Sequence, residues 1–420
     1  MALSLQRYTW TDANSRFNHL LKERLNRDKQ RSMIISLEKI DHLPENLIVE
    51  ILSRLPVKDL LQFKSVCKSW YSIISSPNFI TKHLKNYYYN PNNDSWKDCL
   101  LVQYYVTHAE LQLYELFVDE TRRVLANEVL YSMPMYSSYV YGPCDGIYYV
   151  YQYDSNGRAL WNPAINEFRT LPRIISKPHL PSNLTYASNE VYGFGVDPLT
   201  RDYKVVVVKG HWSTNEDITD NVKFPVSVLV YSLRTDSWKY CGDLGRAYDL
   251  ETNKCYIYVN GCCYWFGSYD CSDDDDDDEV IISFDMATDA FKEMDVPDYS
   301  RPSSKCLGMY DDSLAFLCLS DTEKVFDVWT LNEECCWIKK ISVGPLPEVR
   351  SPIGHWKDNR LILQCKDGKL VVYDPKTQEV RDLAFQKDRW CEGAFAYMES
   401  LVSIKDTNET EEVEAGNIPV

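Results

Sequence analysis

The segment YSLRTDSW, residues 231–238, decides the fold class of most of this chain. An aromatic residue at its first position, Tyr231, and another at its eighth, Trp238, enclose a short stretch rich in polar residues. Bulky residues on both sides of a polar turn are typical of two antiparallel strands joined by a short connection. The segment therefore predicts a β-hairpin.

The same pattern occurs in six copies, which begin 44, 70, 53, 45 and 44 residues apart. The other five are FVDETRRV (117–124), WNPAINEF (161–168), FDMATDAF (284–291), WTLNEECCW (329–337, one residue longer) and YDPKTQEV (373–380). A second hairpin precedes each copy after the first, as in YVYGPCDGIYYVY (139–151). Two hairpins per period of about 44 residues predict the four-stranded blade of a β-propeller.

The end of the repeat region predicts how the propeller closes. Residues 393–404, GAFAYMESLVSI, have the form of a leading hairpin with no trailing one, whereas the first copy has no clear leading hairpin. We therefore expect a six-bladed propeller in which the C-terminal strand returns to complete the first blade, which removes the open edge of the sheet.

A helical segment precedes the repeats. In residues 43–61, LPENLIVEILSRLPVKDLL, apolar side chains recur at helical spacing, Pro44 is tolerated in the first turn and Pro56 stops the helix. A second apolar stripe runs from Leu60 to Ile74, and Pro77 ends it. Three short helices in about 40 residues cannot bury both sides of so much apolar surface, so we expect a partner to cover one face.

The helical segment resembles an F-box, and it fills nearly every position of that family's pattern between Leu43 and Leu84. The segments GPCDGIYYV, LWNPAINEFRTLP, YGFGVDPLTRDYKVV and SPIGHWKDNRLILQCKDGKLVVYD resemble the F-box-associated interaction domain of plant F-box proteins, most of all the S-locus F-box group. The resemblance runs to about Ile404. The repeat order also resembles kelch repeats, although the paired glycines of that motif are missing.

The resemblance implies a non-catalytic substrate receptor of an SCF ubiquitin ligase. The F-box would dock a Skp-family adaptor that couples to a cullin and a RING subunit, and the propeller would bind the protein target, which in the S-locus group is a non-self S-RNase in self-incompatibility. Trp70 is expected inside the F-box, and His83 to serve packing. The residues expected to face the adaptor are Leu43, Pro44, Leu47, Ile51, Leu55, Pro56 and Leu60. The alternatives are a kelch-type binding scaffold and an F-box receptor for a different plant target.

Five regions follow from these patterns. Residues 1–42 are a partly helical or disordered extension, 43–84 the F-box and 85–98 a linker. Residues 99–404 are the propeller domain, and 405–420 an acidic disordered tail.

The loops at the two faces of the predicted propeller differ in length. Connections between strands one and two, and three and four, are short, whereas every long connection falls at the opposite face, where we expect the target to bind. Candidate contact residues at that face are Trp212, Tyr248, Asp275, Asp276, Tyr299, Arg301 and Trp390. The run Asp273–Asp278 lacks the alternating, glycine-bent spacing of a calcium loop, so it is either a solvated loop or a patch that steers a basic partner.

Charge and composition narrow the function further. Residues 1–98 carry 15 Lys and Arg and 10 Asp and Glu, whereas residues 99–420 carry 30 Lys and Arg and 52 Asp and Glu. The negative charge of the second part repels nucleic acid and anionic membranes. No apolar run approaches the roughly 18 residues that span a bilayer, and no signal-peptide core is present, so we expect a cytoplasmic protein, with the nucleus as the alternative. The 14 cysteines show no C-x-x-C spacing and are expected to be reduced.

Catalytic motifs are missing from the sequence. The seven histidines form no spaced ligand pair, and no phosphate-binding loop, nucleophile elbow or dinucleotide fingerprint occurs. We therefore expect no cofactor, no metal and no catalysis by this chain, with a propeller oxidase or hydrolase as the remote alternative.

Overall fold

A computed structural model of the protein describes residues 44–89, 99–106, 111–118, 123–124, 138–153, 155–174, 186–213, 223–251, 256–269, 279–299, 302–320, 323–383 and 389–405. The described chain forms two compact units. The first, here called the helical unit, contains the described residues before residue 98 together with Asn162–Glu167 and Met398–Ser403. The second, the β unit, contains the remaining described residues. The N-terminal extension, the acidic run and the tail beyond residue 405 lie outside the described residues.

The helical unit has four helices rather than the three predicted. They are α1 (Glu45–Leu52), α2 (Val57–Phe63), α3 (Lys68–Ser75) and α4 (Pro77–Tyr89). Prolines mark three of the starts, because proline fits the first turn of a helix, where its missing N–H is not needed. The predicted second stripe is divided between α2 and α3, where Cys67 caps α3 by accepting from the Trp70 N–H at 3.5 Å. Helix α4 continues past residue 84 into the predicted linker, because no Pro or Gly interrupts it before Pro91.

One buried cluster holds the helical unit together. Ile48, Val49, Ile51 and Ile80 pack against it from the helices, Val66 from the turn between α2 and α3, and Ala164 and Ile165 from the segment Asn162–Glu167. Its buried members are Leu52, Leu55, Val57, Leu60, Phe63, Trp70, Ile73, Ile74, Phe79 and Leu401. Trp70 is therefore internal, as expected.

The β unit is all antiparallel, and its described strands form six sheets. The strands are β1 (Cys99–Val106), β2 (Leu111–Val118), β3 (Arg123–Val124), β4 (Ser138–Cys144), β5 (Ile147–Gln152), β6 (Gly157–Asn162), β7 (Glu167–Thr170), β8 (Tyr186–Val196), β9 (Tyr203–Ser213), β10 (Lys223–Ser232), β11 (Ser237–Asp243), β12 (Tyr248–Leu250), β13 (Ile257–Val259), β14 (Cys262–Tyr269), β15 (Glu279–Asp285), β16 (Ala290–Asp295), β17 (Pro302–Tyr310), β18 (Ser313–Ser320), β19 (Phe326–Leu331), β20 (Trp337–Val343), β21 (Val349–His355), β22 (Leu361–Cys365), β23 (Leu370–Asp374), β24 (Glu379–Asp382) and β25 (Arg389–Ala396). The sheet orders are β25-β1-β2-β3, β4-β5-β6-β7, β8-β9-β10-β11, β12-β14-β15-β16 with β13 also on β14, β17-β18-β19-β20 and β21-β22-β23-β24.

The strand pairing confirms the predicted hairpins. In four of the six copies the two bulky residues lie directly opposite each other: Phe117 and Val124, Tyr231 and Trp238, Phe284 and Phe291, Tyr373 and Val380. In the longer copy, Trp337 lies opposite Leu331 instead of Trp329, and the register shifts between Val328 and Trp329. A register shift of this kind is not specific to the longer copy, because β10 and β11 also shift between Val228 and Leu229, next to a copy of ordinary length.

The sheets follow one another in a cycle of contacts between their first strands. The order is β4, β8, β13, β17, β21 and β25, and β25 also contacts β4. The predicted C-terminal hairpin is wrong, because residues 389–404 contain one strand, β25, which pairs with β1. The residues after β25 have no partner strand among the described residues, and Leu401 is buried in the core of the helical unit instead.

Candidate functional site

The predicted adaptor residues divide into surface and core. Pro44 is exposed, and Leu47, Ile51 and Pro56 are half-buried, whereas Leu43 lies outside the described residues. Leu47 and Ile51 are four residues apart on α1 and so lie on the same side of the helix. Pro44, Leu47, Ile51 and Pro56 are the candidate adaptor residues that keep exposed surface, and they are here called the α1 surface.

Two members of the predicted adaptor face belong to the interior. Leu55 is 4% exposed and Leu60 is 0% exposed, both within the core of the helical unit. Leu55 follows the end of α1, and its carbonyl accepts a hydrogen bond of 2.9 Å from His83 Nε2. Neither side chain is available to a partner in the structure of this chain, which corrects the prediction for both. The predicted adaptor face did not include two exposed apolar side chains, Leu61 on α2 and Tyr71 on α3, the latter 53% exposed.

His83 has the packing role expected of it. Its ring lies 6.3 Å from the ring of Phe79, and its hydrogen bond to Leu55 ties α4 to the turn between α1 and α2. Burial lowers the pKa of His83, so the neutral imidazole is the form that the fold favours.

A charged group borders the α1 surface. Glu50 accepts from Arg54 one turn later on α1 and from Lys82 on α4, each at 2.5 Å. The hydrogen bonds from Lys82 and Arg54 lower the pKa of Glu50. Because all three side chains are more than a third exposed, the group orients α1 and α4 without contributing much stability.

The candidate target-binding residues are placed very differently from one another. Tyr248 is only 5% exposed, and its hydroxyl donates to Glu293, so it is a packed residue and not an exposed anchor. Tyr299 is half-buried, its hydroxyl donates to Glu279, and its ring lies 4.8 Å from that of Phe316.

Trp212 is half-buried in β9. Trp390 lies in β25, with its backbone opposite Tyr105, and its side chain is outside the described part. Asp275, Asp276 and Arg301 also lie outside the described residues.

Two clusters lie where the acidic run leaves and re-enters the sheet. In the sequence the run lies between β14 and β15, whose residues Ser268 and Glu279 pair through their backbones. On the β15 side, Lys305 lies 2.5 Å from Glu279 Oε1 and 2.9 Å from Glu251 Oε1. Lys305 is therefore already matched by two carboxylates.

On the β14 side, the hydroxyl of Tyr269 donates to Glu293 at 2.6 Å, and Arg246 lies 5.5 Å from the Tyr269 ring centre. Hydrogen bonds from Tyr248 and Tyr269 lower the pKa of Glu293, which keeps it ionised. The charged side chains that contact the two strands beside the acidic run, Lys305 and Glu293, therefore already have partners within the β unit.

A buried group of charged and tyrosine side chains was missed by the sequence reasoning. Glu190 on β8 accepts from Arg158 at 2.6 Å, from the Tyr192 hydroxyl at 2.7 Å and from Lys209 at 2.9 Å. Burial opposes ionisation of Glu190, but Arg158 and Lys209 hold its pKa below the usual range. The ring of Tyr151 is 4.6 Å from that of Tyr192. The tyrosine-rich run IYYVYQY at residues 147–153 was the available signal.

Neither a metal centre nor a membrane-spanning helix is found in the described residues. No group of three His, Cys, Asp or Glu side chains there is arranged to hold a metal ion. None of the described helices has the length and apolar character needed to cross a bilayer. Eleven cysteines in the described part are free thiols.

Comparison with known families identifies both units. Residues 99–404 match the F-box associated beta propeller domain, and residues 40–82 match the F-box domain. The chain belongs to the family of proteins that carry an F-box associated beta propeller domain, here preceded by an F-box. The F-box implies binding to a Skp-family adaptor in an SCF complex, in which F-box proteins are in general non-catalytic subunits.

Curated relatives agree with this assignment. An F-box/kelch-repeat protein of Arabidopsis thaliana is 26% identical over 87% of this chain and 96% of its own length. The F-box protein CPR1 of Arabidopsis thaliana is 24% identical over 81% of this chain and 84% of its own length. A further F-box protein of the same plant is 27% identical over 69% of this chain and 70% of its own length.

Proposed function

We propose that this protein is the substrate receptor of an SCF-type ubiquitin ligase. The helical unit docks the Skp-family adaptor, which joins a cullin and a RING subunit, and the β unit holds the protein target. The observation that carries the proposal is the apolar α1 surface on a helical unit that already has its own core. Holding target and ubiquitin-charged enzyme together accelerates transfer by proximity, without a nucleophile on this chain.

We further propose that the six sheets are the six blades of one propeller, closed by β25. The cycle of contacts between first strands and the pairing of β25 with β1 support this. A closed ring removes the exposed sheet edges at its seam. The long connections at residues 173–190, 210–224, 242–254, 267–279 and 295–305 then share one face, which we assign to target binding.

The proposed target is a basic protein in the cytoplasm, of the kind represented by a non-self S-RNase in gametophytic self-incompatibility. Support comes from the acidic excess of residues 99–420 and from its concentration in Asp273–Asp278. Opposite charge on two partners raises their association rate and disfavours acidic competitors. A different plant target remains the alternative for the same receptor function.

Adaptor binding is tested on the α1 surface. Ile51 also packs against the core of the helical unit, so Leu47 is the cleaner position for a substitution. Leu47→Asp should weaken adaptor binding at least about tenfold, because an apolar contact is replaced by a desolvated charge. The matched control is Leu199→Asp, the same change at a side chain 79% exposed in the turn between β8 and β9. That control should bind the adaptor as the unaltered protein does.

The same titration separates the proposal from its rival. If the unaltered protein binds no Skp-family adaptor, the chain is a kelch-type scaffold that does not serve ubiquitination. If adaptor binds but Leu47→Asp leaves the affinity unchanged, the docking surface is not on α1. Circular dichroism of each variant establishes that the helices are intact.

Target capture is tested through the acidic run. Replacing Asp273–Asp278 by Asn should slow association with a basic ribonuclease target several-fold at low ionic strength, and less at physiological salt, because salt screens long-range attraction. Dissociation should change little. An association rate independent of these aspartates at low salt would remove the steering role.

A further inference from the structure

The core of the helical unit includes chain from far along the sequence. Leu401 is 3% exposed and lies in the same buried cluster as Leu52 and Phe63. Ala164 and Ile165, in the turn between β6 and β7, pack against that cluster as well. The apolar surface that the four helices leave uncovered is therefore covered in part by Asn162–Glu167 and Met398–Ser403.

The start of α2 depends on one of these segments. The first N–H groups of a helix have no partner within the helix and need an external acceptor. Pro56, at the N-cap position, supplies no side-chain acceptor. Instead the Val57 N–H donates to Glu399 Oε2 at 2.9 Å, across 342 positions of the sequence. Glu399 thus provides the cap that the local sequence of α2 lacks.

The segment that carries Glu399 is itself fixed by an amide. The side-chain Nδ2 of Asn162, which is fully buried, donates to the Ser400 carbonyl at 3.2 Å and to the Val402 carbonyl at 2.8 Å. Its Oδ1 accepts from the Ala164 N–H at 3.1 Å. Asn162 therefore holds the backbone on both sides of Leu401 in place, with Glu399 next to the clamped Ser400.

We propose that Glu399 is a positioning residue for adaptor binding: it holds the start of α2, beside Pro56 of the docking surface, and Asn162 holds Glu399. This inference rests on the proposed function, since it assigns residues outside the F-box to that function. An F-box of this kind is completed by the C-terminal end of the propeller sequence, and its docking competence depends on that end.

The chemistry of the cap predicts which variants keep it. The function of Glu399 here is to offer an oxygen to one N–H, and a glutamine offers an oxygen of the same reach. Burial raises the pKa of Glu399, so the charge itself is unfavourable at this position. Glu399→Gln should therefore keep the cap, whereas Glu399→Ala should lose it.

The experiment uses the full chain and two readouts. Adaptor affinity is measured by titration, and hydrogen exchange of the Val57 amide is measured without adaptor. Loss of a helix cap corresponds to about a 2- to 30-fold change in equilibrium, so Glu399→Ala should raise the adaptor Kd at least threefold and speed exchange at Val57. Asn162→Ala should act in the same direction. Glu399→Gln should stay within twofold of the unaltered protein, as should the control Glu323→Ala in an exposed turn.

Each result decides the proposal. Unchanged affinity in Glu399→Ala overturns it, and so does a loss in Glu399→Gln as large as that in Glu399→Ala, since the acceptor would then not be what matters. If the unaltered protein binds no adaptor, the proposed function fails, and the docking role of Glu399 fails with it. Exchange at Val57 then still shows whether Glu399 orders α2. If Glu399→Ala does not fold, the Gln and Asn162 variants carry the comparison.

Discussion

Gly195, on β8, allows two first strands of the β unit to approach closely. A Cβ atom added there would lie 2.3 Å from Cδ2 and 2.4 Å from Cε2 of the Tyr258 ring. Carbon atoms in contact are about 3.5–4.0 Å apart, so the overlap exceeds about 1 Å. The ring cannot swing away without losing the hydrogen bond of 2.7 Å from its hydroxyl to the Val196 carbonyl. Gly195→Ala should therefore cost about 1–3 kcal/mol, the usual range for overpacking.

Gly354 provides the matched comparison. It also lies on a first strand, β21, but an added Cβ would meet only the Ala394 carbonyl oxygen, at 3.7 Å. Gly354→Ala should be neutral or stabilise by about 0.4–1 kcal/mol, because alanine lowers the entropy of the unfolded chain.

The unfolding temperatures of the two variants should differ by several degrees, because a change of 1 kcal/mol shifts the Tm of a domain of this size by about 2–4 °C. In a Tyr258→Ala background the penalty of Gly195→Ala should shrink, since the obstructing ring is gone. Equal unfolding temperatures for Gly195→Ala and Gly354→Ala would refute the reasoning, as would a penalty that persists without the ring.

Three further outcomes follow from the described contacts. Glu190→Ala leaves the buried guanidinium of Arg158 without its carboxylate and should cost about 3–5 kcal/mol in denaturant unfolding; a loss below about 1 kcal/mol would show that the pair is not needed. The lowered pKa of His83 means that its contribution to stability is present above pH 6.5 and is lost as pH falls, so the protection factors of the α4 amides, corrected for the intrinsic exchange rate at each pH, should fall between pH 7.5 and 5 in the unaltered protein and less in His83→Gln. Tyr248→Phe should lose the hydrogen bond to Glu293, lowering stability by about 0.5–1.5 kcal/mol while target affinity stays the same; weaker target binding would return Tyr248 to the binding face.

The repeats could be predicted down to individual residue pairs because a hairpin is local. Two bulky residues seven positions apart lie opposite each other whenever the turn between them keeps its length, as Phe284 and Phe291 do. The same reasoning failed where one residue was added, since Trp337 then moved opposite Leu331. It failed again for residues 393–404, where the alternation of a strand was present but Met398–Ser403 belong to the helical unit.

The buried charges of the β unit were beyond sequence reasoning for a related cause. Arg158 and Glu190 are 32 positions apart, in two different sheets, and nothing in either strand shows that the other is near. A charged side chain is buried at low cost only beside a partner of opposite charge. The packing of the sheets decides which residue becomes that partner, and the local sequence pattern does not show it. Tyr248 was predicted to be an exposed anchor for a similar reason. The sequence of an aromatic residue at the end of a loop is the same whether its side chain faces water or packs beside Glu293.

The adaptor surface shows most clearly what an apolar pattern can and cannot establish. The spacing of Leu47, Ile51, Leu55 and Leu60 identified side chains that must leave water, but it could not say what covers them. The four helices do have more apolar surface than they can bury among themselves, and the sequence argument assigned all of the excess to a partner protein. The structure divides that excess: Leu401 joins the cluster that contains Leu55 and Leu60, while Leu47 and Ile51 stay partly exposed. An isolated F-box would lack Leu401 and would therefore expose apolar surface that the whole protein buries, in addition to Leu47 and Ile51. Adaptor binding or self-association measured on the isolated F-box would then overstate the docking surface that the whole protein presents.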